Sequence, residues 1–163
     1  MAKANDELIL GFVPSRSVHN IQVSATKIAD HLSNEIGIPV KSITLSNYAA
    51  VVVGMKAKRI DIAFVGPLNY LILHNKTGAY PITAAVRKGK LGYKGLIITN
   101  NNSGVNSLKD LKGKNFAFGD ALSASSNLYP KLLLKNEGID SENDLRSILV
   151  SSQSAIVLAV MQG

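Results

Sequence analysis

The chain has 163 residues, 46% hydrophobic and 18% charged, with 18 Lys+Arg against 11 Asp+Glu. That balance suits a globular protein with a real core and excludes a disordered tail, a coiled coil and a collagen-like repeat. The absence of cysteine removes disulfide frameworks, thiolate metal sites, iron–sulfur clusters and cysteine nucleophiles together. The net charge of +7 is spread evenly: residues 1–80 hold 8 basic and 5 acidic side chains, and residues 81–163 hold 10 and 6. With its densest basic stretch, Arg87-Lys88-Gly89-Lys90, reading as a turn, no nucleic-acid partner is expected. Apolar stretches such as 155–161 are far shorter than the ~20 residues that span a bilayer. Residues 1–7 are polar and lack the apolar middle of a secretory signal, so the signal of an exported protein would lie outside this sequence.

In chain order, strand and helix periodicities alternate. Leu8-Ile9-Leu10-Gly11-Phe12-Val13, ended by Pro14, reads as a buried strand. Ser15 or Ser17 then caps a helix with the apolar face Val18, Ile21, Ala25, Ile28, Ala29, Leu32 and Ile36, stopped by Gly37 and Pro39. A strand at 40–45 follows, then a helix at about 47–57 capped by Ser46 or Asn47, and a strand at 61–65. Pro67 suits the first turn of a helix running to about Asn75. Two extended segments, about 80–87 and 92–99, flank the Lys88-Gly89-Lys90 turn, and Asn100-Asn101-Asn102-Ser103-Gly104 is a turn-rich break. A second series comprises a short helix at 107–111, a strand at Asn115–Phe118, a helix from about Ser125 to Glu137 and a strand at 145–150. Ser151 or Ser152 then caps a helix that is still apolar at Ala159-Val160-Met161. The alternation predicts parallel sheets covered by helices, in two α/β lobes at 1–99 and 100–163.

No catalytic constellation emerges. His19, His31 and His74 lack metal-ligand spacing, and neither a G-x-S-x-G elbow nor a phosphate-binding G-x-x-x-x-G-K-[ST] loop occurs. No enzyme, metal or cofactor is expected. The informative segment is 116–130, where a buried strand enters the loop Gly119-Asp120-Ala121-Leu122-Ser123-Ala124-Ser125-Ser126 and opens a helix. Free N–H groups and the dipole at a helix start favour an anion, and Ser123, Ser125 and Ser126 add hydroxyl donors. One serine suffices for ordinary capping, the competing reading. Ser151-Ser152-Gln153-Ser154 repeats the device after the next strand. Two polar helix starts at the carboxyl ends of parallel strands could serve one crevice.

These residues resemble the substrate-binding proteins of phosphate/phosphonate ABC importers, the PhnD-like group of the type II periplasmic binding fold. The resemblance rests on Asn47-Tyr48-Ala49-Ala50-Val51-Val52, Ile60-Asp61-Ile62-Ala63-Phe64-Val65-Gly66-Pro67, Gly92-Tyr93-Lys94-Gly95, the 116–130 segment and Ala155-Ile156-Val157-Leu158. It spans nearly the whole chain. Ser107-Leu108-Lys109-Asp110-Leu111-Lys112-Gly113-Lys114 also matches but is common to many binding proteins.

The resemblance implies two lobes closing on a phosphonate, phosphate or phosphite in an interlobe cleft. Its implied ligand contacts are Tyr48, Tyr93, Ser123, the Ala124 N–H, Ser125, Ser126 and Gln153. The partners it implies are that small oxyanion and an ABC permease, with an exported protein, periplasmic or lipid-anchored. Ala124 stands where the family often has threonine, Ser126 where glycine is common, and Gln153 and Ser154 where histidine and aspartate are frequent. These departures bear on which substituent the ligand carries. The family's later portion has no counterpart in this sequence, so the second lobe is expected to be incomplete, with exposed edges open to self-association. The alternative is a ligand-sensing input domain of a signalling protein on the same fold.

Overall fold

The computed structural model describes residues 7–162; residues 1–6, the polar start read above, and Gly163 lie outside the described residues. The chain divides into two compact units, Met1–Gly78 and Ala79–Gly163. The junction therefore falls between Gly78 and Ala79, ahead of the extended segments, whereas the sequence reading draws its boundary at 99/100.

In the first unit, β1 (Leu8–Phe12) lies between β2 (Val40–Thr44) and β3 (Ile62–Phe64), both parallel to it. Leu8 pairs with Val40 and Phe12 with Thr44, while Leu10 pairs with Ile62. Right-handed crossover helices are the usual way to join parallel neighbours, and three helices alternate with the strands here. Of the two candidate caps for α1 (Val18–Ile36), Ser17 is the one used: its Oγ accepts from the Asn20 N–H. The four-residue spacing of Ile21, Ala25 and Ala29 brings one stripe of the helix onto the sheet, where they join Leu10, Phe12 and Val40 in the core.

 

The left-handed turn at Gly37 (φ 68°) ends the helix. Asn47 caps α2 (Tyr48–Lys56) by accepting from the Ala50 N–H at 2.8 Å, and Pro67 occupies the first turn of α3 (Pro67–Thr77). The two helices are tied by Asn69, fully buried, whose Nδ2 donates to the Tyr48 carbonyl at 3.2 Å.

In the second unit, a single-turn helix at Leu108–Leu111 precedes β4 (Asn115–Phe118), which pairs in parallel with β5 (Arg146–Leu149). Between them a π-helical turn, Ala124–Leu128, runs directly into α4 (Tyr129–Asn136). The core is Leu111, Phe118, Leu134, Ile139 and Leu145. After β5 comes α5 (Gln153–Gln162), whose start Ser152 caps by accepting from the Ala155 N–H at 3.2 Å. Lys88 and Gly89 both adopt positive φ, as a two-residue hairpin turn requires, and Arg87 bridges Lys90 across it. The flanking segments 80–87 and 92–99, read as extended from the sequence, enter no strand ladder among the described residues. Most of their large apolar side chains are exposed, Leu96 by 83%, with Ile97 half-buried.

Candidate functional site

The serine loop is shaped by the end of β4. Phe118 is fully buried and anchors the strand, and the chain then turns through Gly119 and Asp120. Asp120 Oδ1 accepts from the Leu122 N–H at 2.9 Å, and the Asp120 carbonyl accepts from the Ser123 N–H at 2.8 Å. These short-range bonds deliver Ser123 in extended backbone geometry to the cap position of the helical run 124–136. The Ser123 carbonyl accepts from both the Asn127 and Leu128 N–H groups, and the wider π turn results.

The Ala124 and Ser125 N–H groups have no acceptor among the described residues. They belong to the orphan donors that every helix start presents, and they carry the positive end of the helix dipole. Two hydroxyls flank them. Ser123 is buried, and its Oγ accepts from the Ser126 hydroxyl at 2.7 Å and the Ser126 N–H at 3.4 Å. Ser125 is half-buried, and its Oγ accepts from Gln153 Nε2 at 3.3 Å, so the start of α5 reaches the start of the serine helix.

Of the residues singled out from sequence, Ser123, Ala124, Ser125, Ser126 and Gln153 thus form one cluster. The Ser126 hydroxyl is turned toward Ser123. Tyr93 is largely exposed, but its segment passes the cluster: a Cβ on Gly95 would sit 3.4 Å from the Ser125 carbonyl. Tyr48 belongs to the first unit, where it is buried at the first position of α2.

Two residues went unremarked in the sequence. Asn127, buried, donates from Nδ2 to the Gly119 carbonyl at 3.0 Å and pins the loop's start to its end. Gly119 itself lies beneath Ser126, with no room for a side chain. A glycine after a buried strand, with a polar amide eight residues on, was the available signal.

The sequence profile described as ABC transporter, phosphonate, periplasmic substrate-binding protein matches residues 10–163. The chain belongs to that family. It is 29% identical to the phosphate-import protein PhnD of Mycolicibacterium smegmatis, over 97% of this chain and 53% of that protein. It is 25% identical to the phosphonates-binding periplasmic protein of Escherichia coli, over 94% of this chain and 47% of the relative. Among solved structures, the binding protein component of an ABC phosphonate transporter from Pseudomonas aeruginosa superposes with a TM-score of 0.86 at 26% identity, covering 96% of this chain and 54% of that one. The α/β architecture is that of type II periplasmic binding proteins. The chain spans about half the length of the curated relatives it matches. The family is one of transport binding proteins, not of enzymes.

Proposed function

We propose that this protein binds a phosphonate-, phosphate- or phosphite-type oxyanion and delivers it to the permease of an ABC importer, acting outside the cytoplasm and without catalysis. The observation that carries the reading is the pair of unpartnered N–H groups, Ala124 and Ser125, bracketed by the Ser123 and Ser125 hydroxyls at a helix start. A tetrahedral oxyanion offers many lone pairs, so preorganised donors of this kind suit it. Tyr48 and Tyr93 are proposed as further ligand contacts, and an exported, membrane-tethered or periplasmic protein fits the named relatives.

Calorimetric titration of the intact gene product with phosphate, phosphite, methylphosphonate and 2-aminoethylphosphonate tests the reading. Binding of at least one is expected, weakened by about 1–3 kcal/mol in Ser125→Ala, which removes one hydroxyl donor. No heat with any of the four would refute the proposed function.

A further inference from the structure

We propose that Ser126 and Gln153 are positioning residues, which hold the hydroxyl hydrogens of Ser123 and Ser125 outward so that both serines meet the anion as donors. This rests on the oxyanion-binding reading above and concerns how that site is built.

A serine hydroxyl has one hydrogen and two lone pairs, and it rotates to suit its neighbours. Left alone, each serine could turn its hydrogen to a nearby carbonyl and present a lone pair to the anion, which would repel it. Ser123 is prevented from doing so by receiving two hydrogens from the protein, the Ser126 O–H at 2.7 Å and the Ser126 N–H at 3.4 Å. With its lone pairs engaged, its own hydrogen remains for an external acceptor. Ser125 likewise receives an N–H from Gln153 at 3.3 Å. An amide N–H donor carries its hydrogen at every physiological pH, so the direction of this bond does not depend on protonation.

The Ser126 side chain is held where it can do this. A Cβ on Gly119 would lie 2.7 Å from the Ser126 Cβ and 2.0 Å from its Oγ, so Ser126 is seated directly against the Gly119 backbone. The Gly119 N–H also donates to the Ser126 carbonyl at 2.8 Å. Its hydrogen is committed to Ser123, which leaves Ser126 acting on the anion through Ser123.

Double-mutant cycles decide between acting through a serine and touching the ligand. The intact gene product and its variants Ser123→Ala, Ser126→Ala and the pair, then Ser125→Ala, Gln153→Ala and the pair, are titrated with methylphosphonate and inorganic phosphate, with thermal melts confirming that each folds. Ser126→Ala and Gln153→Ala should each weaken binding roughly 3- to 10-fold in the wild-type background. In the Ser123→Ala and Ser125→Ala backgrounds, respectively, they should cost nothing further. Full additivity, or unchanged affinity in the single variants, overturns the positioning role while leaving the binding function intact. Absence of binding by the wild-type protein overturns both. Should Ser126→Ala fail to fold, Ser126→Gly, which also removes the hydroxyl, takes its place in the cycle with Ser123→Ala.

Discussion

Gly119 shows how a single missing methyl group organises the loop. Its φ is not in the left-handed region, so glycine is required there for space and not for backbone freedom. Its neighbour is the middle of a short side chain, Ser126, itself tied to Ser123. Gly119→Ala is therefore expected to cost about 1–3 kcal/mol, the usual range for overpacking a close contact. The double variant Gly119→Ala/Ser126→Gly, which trades the two volumes, should recover much of that loss. Urea unfolding of the three proteins checks it, and equal midpoints for wild type and Gly119→Ala would remove the packing argument. From sequence, the three serines are equivalent hydroxyls; their different neighbours make Ser123 and Ser125 acceptors from the protein and Ser126 a donor to it.

At the scale of elements, the second unit is tied together by carboxylates that cap turns. Asp110 Oδ2 accepts from the Asn106 N–H, the Ser107 N–H and the Ser107 hydroxyl, at 3.0, 2.8 and 2.9 Å. Those bonds favour the ionised form and hold its pKa below the ordinary aspartate value, led by the bond from Asn106. Asp140 is lowered chiefly by the Glu142 N–H, and Asp144 chiefly by the Asp140 N–H, with Lys112 at 3.1 Å assisting. A folded pKa below the unfolded one gives stability that is present above the ordinary value of 3.8 and is lost as pH falls through the folded value. The urea midpoint should accordingly drop on acidification through that range, and Asp110→Asn, which cannot titrate, should flatten the drop. An identical pH dependence in the variant would count against the capping role.

Helix and strand positions were legible at this scale because their signals are local. The apolar spacing of Ile21, Ala25 and Ala29 and the stop at Gly37 each act within a few residues. The choice of Ser17 over Ser15 and of Asn47 over Ser46 was not legible, since both members of each pair have the right chemistry and only the backbone direction selects one. The turn at Lys88-Gly89 was legible, yet strand pairing of its flanks is a property of neighbours and not of the strand-like pattern.

At the scale of the whole molecule, the second unit carries an unusual amount of exposed apolar surface. Every residue of β5 is exposed, α5 buries none fully, and Ile82, Leu91, Leu96, Leu149 and Met161 are all more than 60% exposed. Surfaces of this kind associate in water. The 163-residue polypeptide studied by itself should therefore self-associate at micromolar concentration in sedimentation velocity experiments, and Leu96→Lys with Leu149→Lys should reduce the association. A monodisperse monomer would overturn this expectation.

The strand–helix alternation and the serine-rich helix start are written in the order of residues, because each depends on contacts a few positions apart, and the parallel sheets follow from strands that are joined through helices. The direction of each hydroxyl hydrogen is not. Ser125 receives its hydrogen bond from Gln153, 28 residues away, and Ser126 is aimed by the bare backbone of Gly119 on the far side of the loop. A hydroxyl is donor and acceptor at once, so only the groups that folding brings beside it decide which of the two it presents.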